Sequence, residues 1–144
     1  DGNISYFWVD IAQSVLEKNR ERFPSKNIHF VEADVYDFLT SNTKQFSTII
    51  DIGCLHCTEQ MVQKEIIESY KNILHSRGYL FLRFFDATSH NAPVFFIEET
   101  IPIWWVQRKD ILEYLGEMFT LLEEREDTHQ FNLTKRTTLL LQKN

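Results

Sequence analysis

Ser5-Tyr6-Phe7-Trp8-Val9-Asp10 is an apolar run closed by a carboxylate, and Ile28-His29-Phe30-Val31-Glu32-Ala33-Asp34 repeats the arrangement. A helix-patterned stretch, Gln13–Phe23, lies between them, with Pro24 just past its end. In an open parallel sheet, ligands sit outside the carboxyl ends of the strands. Two carboxylates at two such ends can grip a nucleoside, one on the ribose hydroxyls and one on a base amine. The pair therefore points to a nucleotide-type cofactor before any catalytic residue is considered.

The alternation continues down the chain. Val35–Leu39 reads as a short helical turn, Ser41-Asn42-Thr43 as loop and Ser47–Ile52 as a third strand. In the next helix Val62, Ile66, Ile67, Tyr70, Ile73 and Leu74 share one face, while Gln63, Lys64, Glu68 and Lys71 fall largely on the other. Thr58 is the expected N-cap of this helix and Gly78 its expected stop. Tyr79–Phe85 is a fourth strand. A long aromatic connection then leads to a helix over Arg108–Met118, with Ile111, Leu112 and Leu115 inward, and to strands at Phe119–Glu123 and Thr137–Leu141. The expected fold is α/β: a Rossmann-like, doubly wound, mostly parallel sheet with an antiparallel C-terminal strand.

The 144 residues suffice for a single domain with a proper core, and 12 Phe, 5 Tyr and 3 Trp supply bulky packing groups. Fifteen basic against 21 acidic residues give a charge of −6 without a Lys/Arg cluster, which disfavours nucleic acid as a partner. No apolar run is long enough to span a membrane and no signal-peptide pattern is present, so a cytoplasmic location is expected. The chain opens Asp1-Gly2-Asn3 and enters a strand almost at once, from which further upstream sequence is expected.

From about Tyr6 to Leu141 the chain resembles a class I S-adenosylmethionine (SAM)-dependent methyltransferase, starting at that fold's second strand. Phe7-Trp8-Val9-Asp10-Ile11-Ala12 is similar to the second-strand motif, whose acidic residue binds the ribose diol. Phe30-Val31-Glu32-Ala33-Asp34-Val35 is similar to the third-strand motif, whose Asp meets the adenine amine. Phe46 through Asp51-Ile52-Gly53-Cys54-Leu55-His56 resembles the fourth-strand motif lining the methyl-transfer site, and Leu74 through Gly78-Tyr79-Leu80 resembles the turn into strand five. The resemblance implies SAM as cofactor, held by Asp10, Ile11, Asp34, Val35 and Gly53, with the Val35 amide facing the adenine ring. It implies Asp51 and His56 at the catalytic position and a small molecule as methyl acceptor.

Two departures stand out. The family's first strand and glycine-rich loop are absent: the chain has 4 Gly and no G-x-G, although that loop must approach the cofactor without side chains. Because that strand is central in the family's order, the strands flanking it here would lose their shared partner, leaving the fold incomplete at the N-terminus. Ser47 also stands where the family usually has Asp. A methyltransferase-like interaction or regulatory module without cofactor function is the alternative.

Each site residue has a structural role to weigh against the chemical one. Asp10 and Asp34 can each cap the element that follows. Asp51, inside an apolar strand, must be paired or shift its pKa, and a structural hydrogen bond competes with a role beside the methyl group. His56 can act as a base, orient an acceptor or be a satisfied loop histidine. Cys54-Leu55-His56-Cys57 is a C-x-x-C at a strand-to-helix junction, where a thioredoxin-like redox pair would sit, with Pro93 as its loop proline. The flanks of that family's signature are missing, and a zinc site with His56, His75 or His90 lacks a second ligand pair; no metal is expected. Arg83 is expected to pair with a buried acid. The apolar segment 94–106 can pack over the sheet edge, wall an apolar substrate pocket or form a homodimer contact.

Overall fold

In a computed structural model, residues 4–86, 95–97, 101–104, 106–128 and 135–144 are described, with backbone only at 95–97, 101, 102 and 128. The chain divides into two compact units, residues 1–42 and 43–144.

The first unit is a parallel β-α-β repeat. β1 (Tyr6–Asp10) pairs in parallel with β2 (Ile28–Glu32), with Tyr6 opposite Ile28 and Asp10 opposite Glu32. α1 (Gln13–Arg22) connects them and buries Leu16, and Pro24 follows its C-cap at Phe23. α2 (Val35–Ser41) buries Leu39. β1 reads in sequence like a strand covered on both faces, yet Tyr6 is 57% and Trp8 38% exposed. Trp8 stacks on Phe23 and Phe30, and Phe7, on the opposite face, stacks on His29 at 4.8 Å between ring centroids, so β1 is packed by aromatic neighbours on both faces.

The second unit holds a sheet of order β3-β4-β8-β7. β3 (Phe46–Ile52) and β4 (Leu74–Phe85) run parallel, joined by α3 (Gln60–Ile73). β8 (Lys135–Lys143) is inserted antiparallel between β4 and β7 (Phe119–Thr128). A short hairpin pairs β5 (Phe95–Ile97) with β6 (Ile101–Ile103), and α4 (Arg108–Leu115) precedes β7. The mixed α/β order and the antiparallel C-terminal strand agree with the sequence expectation. Within the first unit β1 and β2 form a two-stranded sheet.

The core of the second unit follows from alternation along β4. Leu80, Leu82 and Phe84 are at most 1% exposed and share a core with Ile66, Ile67 and Tyr70 of α3 and Ile111 and Leu115 of α4. Ile50 and Ile52 alternate with Asp51 and are 66% and 65% exposed.

Several boundaries differ from the sequence reading for local reasons. The N-cap of α3 is Glu59, not Thr58, whose hydroxyl donates instead to the Leu55 carbonyl and closes a 3-10 turn over Leu55–Cys57. Gln63 is buried rather than solvated, and its amide donates to the Thr58 carbonyl. α3 stops at Ile73, well before Gly78, because the ammonium of Lys143 donates to the carbonyls of Lys71 and Leu74 and satisfies the helix end. Gly78 serves close approach: a Cβ there would lie 2.9 Å from both the His75 carbonyl oxygen and Leu74 Cγ. The last two strands run longer than expected, cross-linked by ion pairs such as Lys135–Glu126 and Arg136–Asp127.

Candidate functional site

The first unit carries two of the expected carboxylates. Parallel register sets the carboxyl ends of β1 and β2 side by side, and the Ala33 amide donates to the Asp10 carbonyl at 3.2 Å, tying those ends together. Asp10 Oδ1 accepts the Ala12 amide at 2.9 Å, and Ala12 itself occupies the N-cap of α1. Asp10 therefore shapes the turn into α1 without being its cap. Asp34 is the N-cap of α2: its Oδ1 accepts from the amides of Tyr36 at 2.7 Å and Asp37 at 3.4 Å. Both capping bonds fall on one oxygen of an exposed carboxylate. Ile11 is 71% exposed beside Asp10, and Val35 opens α2 beside Asp34.

The second unit carries the remainder, at the carboxyl end of β3. Gly53 follows the strand at φ +94°, which side chains rarely adopt, and its amide donates to the Arg83 carbonyl. Its bare Cα admits the His56 ring: a Cβ at residue 53 would lie 3.2 Å from His56 Cε1 and 3.3 Å from Nε2. His56 Nδ1 accepts the Phe85 amide at 3.4 Å, and the ring packs on Phe85 with centroids 4.6 Å apart. Burial lowers the imidazole from 6.5 to about 4. The ring is then neutral at pH 7, and with Nδ1 accepting, its proton is assigned to Nε2. A neutral imidazole of such low basicity is a poor proton acceptor but a competent hydrogen-bond donor.

Asp51, 4% exposed, shares the face of its partner Leu82 and turns toward α3. Its Oδ2 accepts from the Tyr70 hydroxyl at 2.9 Å and its Oδ1 from the Cys54 amide at 2.8 Å. Burial raises this carboxyl from 3.8 to about 6, against the opposing hydrogen bonds from Cys54, Tyr70 and Leu55. Asp51 is thus a tie between β3, the 3-10 turn and α3. It is not among the residues lining the adjacent cavity of about 210 Å³, which is bounded by Ile52, Gly53, His56, Arg83, Phe85 and Arg136, together with Phe84.

Tyr70 as the partner of Asp51 was not foreseen, although its place on the inward stripe of α3 was the available signal. Arg83 pairs with Asp127 at 2.8 Å, an acid about half exposed rather than buried. It lies beyond the strand that sequence reading ended at Glu123. The redox reading is not supported by the geometry: Cys57 is exposed and its thiol is pushed up by burial and by Asp51, the reverse of an activated thiolate. Among the described residues no three His, Cys, Asp or Glu side chains come together to hold a metal; His90 and Pro93 lie outside them. Of the aromatic segment, Trp104 donates its amide to the His56 carbonyl at 2.7 Å, and Ile103 and Val106 are buried.

No family model matches the chain. Two proteins of Schizosaccharomyces pombe (strain 972), both named uncharacterized methyltransferases, are each 30% identical over 83 residues, which is 56% of this chain and 57% of each relative. The match thus takes in less than two thirds of those relatives' length. Among solved structures, the N-methyltransferase NodS of Bradyrhizobium japonicum, crystallised with S-adenosylhomocysteine (SAH), superposes with a TM-score of 0.75 at 14% identity, covering 96% of this chain and 66% of that one. A SAM-dependent methyltransferase of Methanosarcina mazei gives 0.76 at 14% identity over 96% of this chain and 82% of that one. The 1,6-didemethyltoxoflavin-N1-methyltransferase of Burkholderia thailandensis, with that compound and SAH bound, gives 0.72 at 15% identity over 96% and 60%. The fold is that of the class I SAM-dependent methyltransferases, and the curated relatives are named methyltransferases. Among the described residues no helix is long and apolar enough to cross a membrane.

Proposed function

We propose that the chain is a methyltransferase-like domain, residues 1–144, that binds SAM and serves methyl transfer to a small-molecule acceptor. The observation that carries this reading is the placement of Asp10 and Asp34 at the adjacent carboxyl ends of β1 and β2, the positions where the family resemblance puts ribose and adenine contacts. The donor set fits. Carboxylates are acceptor-only groups matched to ribose hydroxyls and an exocyclic amine, and capping α2 through one oxygen leaves Asp34 a second. Asp10 would take the ribose, flanked by Ile11; Asp34 would take the adenine amine, with Val35 beside the ring; Gly53 would allow close backbone approach.

When bound, SAM supplies an activated methyl group on a sulfonium, so the protein's task is positioning. His56 is suited to hold an acceptor through its Nε2–H rather than to remove a proton from it. Asp51 acts as a positioning residue that fixes the turn bearing Gly53 and His56. Segment 94–106 remains a candidate homodimer contact, but the Trp104–His56 bond favours its role as a wall of the acceptor pocket. A cytoplasmic location belongs to this reading, since 2 Cys in 144 residues do not make a disulfide scaffold.

A second reading, a methyltransferase-like module without cofactor chemistry, rests on the absence of a G-x-G pattern from the chain, which has 4 Gly. Calorimetric titration of SAH separates the two. Micromolar binding that Asp10→Ala and Asp34→Ala each weaken by roughly 1–3 kcal/mol, the cost of unmaking a buried polar contact, supports the first. Unchanged affinity in both variants refutes the residue assignment, and no binding by the parent chain favours the module.

A further inference from the structure

The cavity beside His56 has a charged wall that the methyltransferase reading leaves unused. Three strands converge there because of their directions. β4 ends at Phe85, the antiparallel β8 begins at Lys135, and β7 ends at Thr128, so Arg83, Arg136 and Asp127 meet at the carboxyl end of β3. Phe85 pairs with Arg136, and Arg136 with Asp127, in the two ladders. Asp127 bridges the arginines, taking Arg83 on Oδ2 and Arg136 on Oδ1.

The residues that line the cavity include two guanidiniums and no carboxylate. Glu126 is paired with Lys135, and Asp86, which accepts from Thr137 and keeps its charge, stands behind the wall: neither acid lines the cavity. Arg83 Nε is buried and has no hydrogen-bond partner among the described residues. A buried donor of this kind is costly to leave unmet, more so when charged. A fork of N–H groups is the geometry that takes an oxyanion on two oxygens. At about 210 Å³ the cavity is smaller than the roughly 300–1,000 Å³ of whole ligand pockets, so it suits one end of a molecule.

We infer that Arg83 and Arg136 form an oxyanion subsite for the carboxylate or phosphate group of an acidic methyl acceptor, with Asp127 holding the two guanidiniums in place until that group arrives. The word acceptor rests on the methyltransferase reading; the subsite does not. The same chemistry could come from the carboxylate of the cofactor's methionine half, and the test distinguishes the two sources.

Benzoate, its neutral isostere benzamide, and inorganic phosphate are titrated into the full chain, following the arginine Nε–H resonances by NMR. Benzoate or phosphate should shift the Arg83 Nε–H signal and bind roughly 10- to 100-fold more tightly than benzamide, the range expected of charge-assisted hydrogen bonds. Arg83→Gln and Arg136→Gln should remove that preference, and Asp127→Asn, which frees both forks, should tighten anion binding. Equal binding of benzoate and benzamide, or an Arg83 signal indifferent to both anions, would overturn the subsite in the unmutated protein, whatever the variants do. Displacement of bound benzoate by SAH would assign the arginines to the cofactor and overturn the acceptor role. Failure of SAH to bind while benzoate still does would refute the methyltransferase reading and leave the subsite standing.

Discussion

Asp51→Asn should change how the stability of the protein depends on pH, in a direction set by the burial of the carboxyl group. In the folded chain that group titrates at about 6, raised from 3.8 mainly by desolvation; unfolded, it returns to about 3.9. A folded-state value above the unfolded one means that the proton is held more tightly in the fold. Stability from this group is full below about pH 4 and is lost as the pH rises through about 6, after which the deficit is constant. A gap of roughly two pH units corresponds to about 3 kcal/mol. The D51N variant cannot lose a proton there. It keeps an acceptor for Tyr70 or the Cys54 amide but not for both, a penalty of about 1–3 kcal/mol that does not vary with pH. Urea unfolding of parent and variant, followed by tryptophan fluorescence at intervals from pH 4 to 8, isolates the slope from that offset. The stability of the parent relative to D51N should fall by up to about 3 kcal/mol between pH 4 and 6.5 and then level off. A difference that stays flat, or that grows with pH, would refute the reasoning. It would mean that the hydrogen bonds from Cys54, Tyr70 and Leu55 outweigh desolvation and that the carboxylate is stable when charged.

His56 should act in the opposite sense. Its imidazole is lowered from 6.5 to about 4, so its contribution is present above about pH 6.5 and disappears as the pH falls through 4, and His56→Gln should leave the Asp51 slope unopposed in the same unfolding series. In the parent the two slopes overlap and largely cancel between about pH 4 and 6. Gly78→Ala should destabilise the second unit by about 1–3 kcal/mol, since its Cβ would press on backbone at 2.9 Å, and a lowered urea midpoint without a change in denaturant slope would show it. Cys57, although exposed, should alkylate with iodoacetamide more slowly at pH 8 than a free cysteine because its thiol pKa is raised; mass spectrometry of a time course would check it.

Hydrophobic runs and their spacing carried most of the fold. β1 and β2 fall within the two apolar runs that close on Asp10 and Asp34, and β3, α1 and α2 match their sequence bounds within a residue or two, because each is a local apolar pattern punctuated by capping or breaking residues. The same patterns set Asp10 and Asp34 at strand ends, which needs only knowledge of where a strand stops. What escaped the sequence depends on partners distant along the chain. The end of α3 is decided by Lys143, the environment of Asp51 by Tyr70, and the acid opposite Arg83 by the ladder that brings Asp127 alongside Arg136. Burial, and with it the opposite pKa shifts of Asp51 and His56, is likewise a property of packing. Local periodicity determines which segments become strands and helices, since backbone sterics and side-chain alternation act over a few residues. Tertiary structure alone decides which polar groups meet, because hydrogen bonds and desolvation act between groups that the chain separates by tens of residues.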